Sequence, residues 1–293
     1  MKRIDIHAHG IGGYDTRTAD PDQVLQIAEI HGSYGVSEIL LTVYPAAIRI
    51  MRENMDTIRQ AMKKQKNISR PVRGGDEPSR IMGIHLEGPF LNPAQCGALN
   101  AMTFLEPTEY NCRELIEGFE DIVKIITIAP EMNGALTSIR KISDMGVIVS
   151  MGHSDATYEE AEAGFRAGAK GITHIFNAMR ALHHREPGIA GFGLLNKEIY
   201  IEVIADPFHL HPKTLELTFR TKDRDRIIII SDAVKETKIR SGEGMAISDT
   251  RGSLLGGSLT IVESSNRLIS TGYDEEVIEG FITTNPAAYL SAG

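Results

Sequence analysis

The sequence predicts an α/β protein, a closed (β/α)8 barrel of the TIM type. Short β-rich runs recur along the chain, and each is followed by a stretch with helical spacing, which is the alternation typical of a parallel sheet. Eight such runs can be counted, which is the number that closes a barrel. The length of 293 residues is what such a barrel takes as one domain. We therefore expect residues 1–293 to form a single barrel domain.

The eight predicted strands are short, apolar and rich in β-branched residues, as buried parallel strands are. They are Arg3–His7, Glu38–Thr42, Ile81–His85, Val123–Ile128, Val147–Met151, Gly171–His174, Tyr200–Ala205 and Arg226–Ile230. An open doubly wound sheet is the alternative, but it usually has a Gly-rich phosphate loop after its first strand. Here the first strand runs into His7-Ala8-His9 instead.

The predicted helices between the strands begin with recognisable caps. Pro21–Tyr34 follows Asp20 as N-cap and has proline at its first position, and Thr157–Ala167 alternates Glu and Ala. After the eighth strand, the Gly-rich segment 241–258 predicts a long loop, either a disordered surface loop or an ordered flap over the barrel mouth. The stretches Leu259–Thr271 and Asp274–Leu290 then resume helical spacing and predict closing C-terminal helices.

Composition excludes several classes of protein. With 42% hydrophobic residues the chain can fill a core of its own, and a net charge of −8 disfavours nucleic acid as a partner. The longest apolar runs, such as Ile227 to Ile230, are far shorter than the roughly 18 residues that span a bilayer, so no membrane helix is expected. Residues 1–10 hold no signal-peptide pattern, and only Cys96 and Cys112 are present, so we expect a cytoplasmic protein without disulfides.

Histidines and carboxylates stand where the predicted strands end. In a barrel of this kind, catalytic residues collect at the carboxyl ends of the strands. The residues there are His7, His9, His85, Glu87, His153, His174, Asp206, His209 and Asp232. Any one of them alone is more typical of a hydrogen-bonded packing residue, but their joint placement predicts a functional site.

This residue set suits a catalytic metal. Imidazole and carboxylate, with no thiolate, are the ligands that Zn²⁺, Fe²⁺ or Mn²⁺ take when an exchangeable water must be kept. Residues two apart on a strand point the same way, so His7 and His9 can both face the barrel axis. Ligands from the third, fifth, sixth and eighth strands would complete two adjacent sites, with Glu87 bridging them. Neither the metal nor the number of ions, one or two, follows from the residues.

A family resemblance extends along the whole chain. The matching runs are Ile4 to Gly10, Gly83 to Phe90, Met151 to Ser154, Thr173 to Met179, Arg185 to Gly188, Ser231 to Ala233 and Leu255 to Ser258. In these runs the chain resembles the amidohydrolase superfamily, and more narrowly the N-acetylglucosamine-6-phosphate deacetylases. The Glu-Gly-Pro-Phe and Thr-His-x-x-Asn-Ala-Met runs are the most specific, whereas His-x-His alone also begins phosphoesterase barrels.

The resemblance implies a metal set and a mechanism. Glu87, His153 and His174 would hold one ion, and His7 and His9 a second with Asp232 or Glu87. Some relatives lack the first histidine pair and use one ion, so His7 and His9 favour a binuclear site. Asp232 resembles the family's catalytic aspartate, which accepts a proton from water and returns it to the departing amine.

The resemblance also implies substrate contacts. The sugar would be contacted by Ala98, Asn177 and Ala178 and by the loop Leu255, Gly256, Gly257 and Ser258. Arg185 and His209 would hold its 6-phosphate, and an arginine fork suits phosphate. Without the family match, His183-His184-Arg185 is more typical of a solvated loop. In relatives the arginine comes from a neighbouring subunit, so we expect a homodimer in which Arg185 reaches the neighbouring site.

Three features depart from the family pattern. Relatives carry a carbonyl-polarising histidine after Gly97-Ala98, where this chain has Leu99 followed by Asn100. Either Asn100 substitutes, a second metal polarises the carbonyl, or the substrate differs. The stretch Asp206-Pro207-Phe208 replaces a usual Asp-Gly-x and is stiffer. The small β-sandwich that accompanies the barrel in relatives is expected to be absent.

The expected activity is therefore metal-dependent hydrolysis of the N-acetyl amide of N-acetylglucosamine 6-phosphate, giving acetate and the amino-sugar phosphate. Three alternatives stay open. The substrate could be N-acetylgalactosamine 6-phosphate or an unphosphorylated N-acyl compound, the protein could be a barrel phosphoesterase, or it could be a non-catalytic sugar-phosphate sensor. The phosphoesterase does not explain the run from Thr173 to Met179, and the loss of histidine at Leu99 makes the sensor conceivable.

Overall fold

The computed structural model describes residues 1–67, 77–238 and 245–293. Its strands are β1 (Ile4–Ala8), β2 (Gly10–Ile11), β3 (Tyr14–Asp15), β4 (Glu38–Val43), β5 (Arg80–Glu87), β6 (Val123–Ile128), β7 (Ile148–Met151), β8 (Gly171–Ile172), β9 (Tyr200–Ile204), β10 (Ile227–Ile230), β11 (Ile247–Ser248) and β12 (Leu254–Gly256). Its helices are α1 (Pro21–Ser33), α2 (Ile48–Asn67), α3 (Glu109–Ile116), α4 (Ala135–Asp144), α5 (Tyr158–Ala167), α6 (Gly188–Leu195), α7 (Pro212–Thr221), α8 (Ile261–Ser270), α9 (Glu275–Ile282) and α10 (Thr284–Leu290).

Eight of the strands form one parallel sheet in the order β1-β4-β5-β6-β7-β8-β9-β10. The sheet closes beyond its carboxyl edge, where Ala8 bridges Ala233 and the His9 amide donates to the Ala233 carbonyl at 2.7 Å. The predicted (β/α)8 barrel is confirmed, and each predicted strand corresponds to one barrel strand. This closure brings the first and last barrel strands together at the edge where the histidines stand.

Two predicted boundaries were wrong for local reasons. The sixth barrel strand, β8, ends at Ile172 rather than His174, because the backbone leaves the extended region and His174 has φ 32°. The stretch Asp274–Leu290 is not one helix but two, α9 and α10, separated at Thr283 with φ −126° and ψ −79°. The predicted N-cap was correct, because Asp20 accepts from the Asp22 amide. Thr157, predicted as the first residue of its helix, is instead the N-cap and forms a capping box with Glu160.

The core has two parts. A large apolar cluster lies between the sheet and the surrounding helices, and a smaller one, which includes Ile6, Leu40 and Ile228, fills the barrel interior. Tyr289 of α10 is fully buried in this inner cluster. It packs on Gly171, where a Cβ atom would lie 2.1 Å from the tyrosine hydroxyl, so only glycine fits there. The polar site therefore has an apolar, filled barrel beneath it.

The described part of the Gly-rich segment is an ordered flap, which was the second of the two expected alternatives; residues 241–244 lie outside the described residues. β11 and β12 pair antiparallel. Gly257 then passes so close to Ser231 that a Cβ atom would lie 1.8 Å from its carbonyl oxygen, and its amide donates to the Asp232 carbonyl at 2.8 Å. This close approach fixes the flap against the end of β10.

None of the helices in the described ranges combines the length and the apolar character needed to cross a bilayer.

Candidate metal-dependent active site

Three side chains from different strands meet at one point above the sheet. Glu87 is the last residue of β5, and His153 and His174 follow β7 and β8. Glu87 Oε1 lies 3.2 Å from His153 Nε2 and 3.1 Å from His174 Nε2. The two Nε2 atoms are 3.2 Å apart. The geometry thus brings together the first predicted ligand set.

The second predicted set lies on the other side of the same carboxylate. His9 Nε2 is 3.2 Å from Glu87 Oε2, and His7 Nε2 is 3.5 Å from Glu87 Oε1. Asp232 Oδ1 lies 3.4 Å from His7 Nε2 and 3.7 Å from His9 Nε2. Glu87 is therefore placed between the two groups, as a bridging carboxylate would be.

Three of these residues adopt an unusual backbone conformation. His153 has φ 47°, His174 has φ 32° and Asp232 has φ 48°, and each is the second residue after the end of a barrel strand. Non-glycine residues rarely occupy this region, and such strain persists only where the surrounding structure enforces it. The turn redirects the side chain towards the barrel axis instead of leaving it in the strand's alternation.

The cluster is buried, and its charges depend on one another. Burial opposes the charged form of Glu87, but hydrogen bonds from the imidazoles, led by His153 and His174, hold the pKa of its carboxyl well below its usual range. Burial also opposes the imidazolium of His7, yet Asp232, Glu202 and Glu87 raise the pKa of His7 well above its usual value. The site is therefore built to hold positive charge between its carboxylates.

These residues fit a divalent metal. Within the described ranges, His7 Nε2 is buried without a hydrogen-bond partner. The Nε2 atoms of His153 and His174 lie 3.2 Å apart, and both face the same carboxylate oxygen of Glu87. Two groups of ligand atoms, His7 with His9 and Glu87, and Glu87 with His153 and His174, each lie within 4.8 Å of one another. A buried donor set of imidazole and carboxylate is what a catalytic divalent ion takes.

Several residues that support the cluster were missed by the sequence analysis. Glu202 Oε2 lies 3.3 Å from His7 Nδ1, and the Gln95 carbonyl lies 2.9 Å from His153 Nδ1, so both histidines are held with Nε2 inward. A signal existed for Glu202, because a glutamate in the apolar run Tyr200 to Ile204 is out of place unless it is paired. His85, at a strand end, instead bonds Thr127 Oγ1 at 2.8 Å.

Tyr44 was also missed, and its sequence surroundings hold no signal. Its ring stacks on His9 with centroids 3.8 Å apart, and the Arg17 guanidinium lies over its other face at 4.1 Å. Tyr44 follows β4, so the second barrel strand contributes to the site through an aromatic side chain rather than a ligand.

A cavity of about 220 Å³ opens over the cluster. The predicted substrate contacts that line it are Ala98, Asn177, Ala178, His209, Leu255 and Gly256. Gly257 lies behind the flap and contacts the backbone of Asp232. Arg185 is exposed outside this cavity, where its Nη1 lies 2.9 Å from His184 Nε2. The structure therefore gathers most of the predicted contacts and leaves Arg185 apart from them within one chain.

Asp206 joins the remaining predicted residues. It accepts from Ser258 Oγ at 3.1 Å and lies 3.0 Å from His209 Nδ1. Burial disfavours both charges, but the pairing dominates, so the pKa of Asp206 is lowered and that of His209 is raised. The raised pKa favours the imidazolium form of His209, which lines the cavity, while Ser258 ties the flap to the seventh barrel strand.

A parallel barrel with imidazole and carboxylate ligands at its carboxyl edge defines a metal-dependent hydrolase. Residues 4–250 match the amidohydrolase family. The chain belongs to this family, whose members are hydrolases of amide bonds.

Relatives within the family are sugar-phosphate deacetylases. The chain is 32% identical to the N-acetylgalactosamine-6-phosphate deacetylase of Escherichia coli O157:H7 over 98% of this chain and 76% of the relative. It is 33% identical to the N-acetylglucosamine-6-phosphate deacetylase of Vibrio furnissii over 82% of this chain and 57% of the relative. The chain thus spans little more than half the length of some relatives.

A solved structure shows the same fold at the level of the whole barrel. It is a variant of the N-acetyl-D-glucosamine-6-phosphate deacetylase of Mycobacterium smegmatis, in complex with N-acetyl-D-glucosamine-6-phosphate. It superposes with a TM-score of 0.89 at 25% identity, covering 99% of this chain and 77% of that one.

Proposed function

We propose that the protein removes the acetyl group of N-acetylglucosamine 6-phosphate, releasing acetate and glucosamine 6-phosphate. The observation that carries the proposal is the convergence of Glu87, His153 and His174 with Asp232 and His209 around one cavity. The names of the Vibrio furnissii and Mycobacterium smegmatis relatives support the glucosamine epimer. N-acetylgalactosamine 6-phosphate is the second candidate, favoured by the E. coli relative that aligns with 98% of this chain.

The metal set is part of the proposal. Glu87, His153 and His174 would hold one divalent ion, and His7 and His9 with Asp232 or Glu87 a second, the ion being zinc, iron or manganese. A divalent ion supplies a water that ionises near neutral pH and a positive charge for the amide oxygen. Glu202 and the Gln95 carbonyl orient His7 and His153 for this binding.

Asp232 is the proposed catalytic residue. Its carboxylate lines the cavity beside His7 and His9, and its backbone is fixed by its own amide donating to the His7 carbonyl at 2.9 Å. From there it accepts the proton of the attacking water and returns it to the amine as the C–N bond breaks. The oxygen of the water ends in acetate.

The rest of the cavity would hold the sugar phosphate. Ala98, Asn177, Ala178 and the loop Leu255 to Ser258 contact the sugar, and the charged edge of His209 faces the phosphate. Arg185 would add its fork from a neighbouring subunit, which its exposed position outside its own cavity supports. The proposal therefore includes a homodimer. It also includes a cytoplasmic location.

Asn100 is a poor replacement for a carbonyl-polarising group. Its Oδ1 accepts from the Met102 amide at 3.1 Å, and the residue lies outside the 220 Å³ cavity, whereas Leu99 lines it. Of the alternatives open for this position, a second metal or a different substrate remain.

The test is acetate release from N-acetylglucosamine 6-phosphate and its galactosamine epimer by protein loaded in turn with Zn²⁺, Fe²⁺ or Mn²⁺. We expect acetate and a free amine in equal amounts. Phosphate release would favour a phosphoesterase, and tight binding without turnover a sensor; either outcome contradicts the proposal.

A further inference from the structure

A second cavity adjoins the metal cavity and has no part in the mechanism above. Its volume is about 520 Å³, against about 220 Å³ for the cavity over the metal cluster. Sites for small organic molecules usually occupy roughly 300–1,000 Å³. The metal cavity alone is thus smaller than most such sites, whereas the second cavity falls within their range.

The two cavities meet at a shared wall. Tyr44, Ala98, Leu99 and Leu255 line both of them. Tyr44 also stacks on His9, and the two ring centroids lie 3.8 Å apart. A substituent that extends from the metal cavity past Tyr44 and Leu99 therefore enters the second cavity directly.

The shared wall is apolar, and further apolar residues extend it into the second cavity. Besides the four shared residues, the second cavity is lined by Pro45, Ala46, Ile50 and Val234. Asn54 and Thr57 of α2 lie on the same side, and both are more than nine-tenths buried. Four charged residues also line it, Arg17, Glu53, Lys235 and Glu236, and each lies near an opposite charge. Arg17 lies 2.6 Å from Asp15, Lys235 lies 3.8 Å from Glu236, and Glu53 pairs with Arg49. The cavity therefore offers an apolar surface along the shared wall, while its charged lining residues are engaged with opposite charges.

The metal cavity has polar residues on the side away from the shared wall. Asn177 and His209, whose Nδ1 lies 3.0 Å from Asp206 Oδ2, face it from the sixth and seventh barrel strands. Tyr44 and Leu99 lie towards the second and third. An anionic sugar phosphate is favoured beside His209. The acyl substituent of the same amide then points towards Tyr44 and Leu99.

We propose that the second cavity is an acyl subsite, and that the chain prefers amino-sugar phosphates whose N-acyl group is longer than acetyl, such as N-butyryl. This inference rests on the proposed function, because it concerns the same amide hydrolysis at the same cluster. Water adds across the amide C–N bond, the longer carboxylate leaves with the oxygen, and the amine keeps the sugar phosphate. Leu99 is then a specificity-determining residue, since it forms the apolar wall that the acyl chain crosses.

The test compares N-acetyl- and N-butyryl-glucosamine 6-phosphate on the metal-loaded full chain. Each methylene that leaves water should gain about fourfold in kcat/KM, so the two extra methylenes should gain about 15-fold. Calorimetric titration of both compounds into the Asp232→Asn variant supplies a readout without turnover, and the same order of affinity is expected.

Filling the cavity should reverse the preference. Ala46 is half-buried and lines only the second cavity of the two, so Ala46→Phe should abolish the butyryl advantage while leaving acetyl hydrolysis nearly unchanged. Ala163→Phe is the matched control, because Ala163 is half-buried on α5 and lines neither cavity. If the Ala46 variant does not fold, Ile50→Trp closes the same cavity from α2.

The outcomes separate this inference from the proposed function. If the protein hydrolyses the acetyl compound and kcat/KM is lower for the butyryl compound, the acyl subsite is overturned while the proposed deacetylase function stands. Preferred binding of the butyryl compound without hydrolysis of either supports the subsite and overturns the deacetylase. An equal butyryl advantage in wild type and Ala46→Phe contradicts the subsite, as does a preference for N-succinyl, which carries a charge into the apolar cavity.

Discussion

The proposed role of Asp232 joins geometry and chemistry in one residue. Its φ of 48° turns the carboxylate inward, and backbone hydrogen bonds to His7 and from Gly257 hold that conformation on both sides. A residue held so firmly needs little reorganisation when it takes and returns a proton.

Replacing Asp232 by asparagine should therefore remove the proton acceptor without disturbing the fold. We expect turnover to fall by on the order of a hundredfold or more, the scale of a lost general base, while metal content stays largely intact. Acetate release and elemental analysis of the purified variant measure the two effects. Turnover close to that of the wild type would rule out the role.

The ligands on the other side of Glu87 make a different prediction. His153→Ala or His174→Ala removes one of the two imidazoles that contact Glu87 Oε1 and should lower the metal content found by elemental analysis. Full occupancy in both variants would refute the assignment. Asn177→Ala is a suitable control, since it changes the cavity lining but no ligand.

Glu202 acts through His7 and is a positioning residue. It is 1% exposed, and it fixes the imidazole by a contact of 3.3 Å to Nδ1. Glu202→Ala should weaken metal binding at the His7 and His9 side by roughly 10- to 100-fold, whereas Glu202→Gln, which can still accept the hydrogen bond, should lose less. Metal titration followed by calorimetry measures this loss. Equal affinities in wild type and Glu202→Ala would show that His7 needs no such support.

At the scale of the element, α1 carries a buried group outside the site. His31 is fully buried, and this burial lowers its pKa to about 4. Below its ordinary value of 6.5, the unfolded chain binds a proton that the folded chain refuses, so this histidine costs stability as the pH falls from about 6.5 to 4.

His31→Leu should remove that acid sensitivity. We expect the free energy of unfolding of the variant, relative to wild type, to rise between pH 7 and pH 4.5, because only the wild type loses stability through this group. Urea unfolding at both pH values measures the difference. If the two proteins differ in their free energy of unfolding by the same amount at both pH values, the pKa of His31 is not lowered as its burial requires.

Elements also set the limit of what the sequence could predict. Parallel strands place their carboxyl ends together, so the meeting of His7, Glu87, His153 and His174 could be predicted from strand order alone. The contact of Tyr44 with His9 could not, because it depends on how a loop leaves β4 and on which face the ring turns. The break at Thr283 was missed for a similar reason. The helical spacing of the sequence continues through this residue, whereas its backbone leaves the helical conformation.

At the scale of the whole molecule, the metal cluster joins strands from around the entire barrel. Chelation should therefore lower the melting temperature of the whole domain. An ion present at about 100 times its Kd stabilises by about 2.7 kcal/mol, which corresponds to a shift of roughly 4 °C for a domain of 293 residues. Scanning calorimetry with and without chelator measures the shift. The His153→Ala variant should show a smaller one, and an unchanged melting temperature in wild type would contradict a bound ion.

The seam of the barrel has a consequence for how the protein is made. Ser231 Oγ donates to the His7 carbonyl across 224 positions of the chain, beside the closure at Ala8 and Ala233. During synthesis His7 and His9 leave the ribosome first, and Asp232 follows only when most of the chain has been translated. The proposed second metal site, which draws on His7 and Asp232 together, therefore cannot form before the barrel closes, and metal uptake there would mark a nascent polypeptide whose barrel has closed.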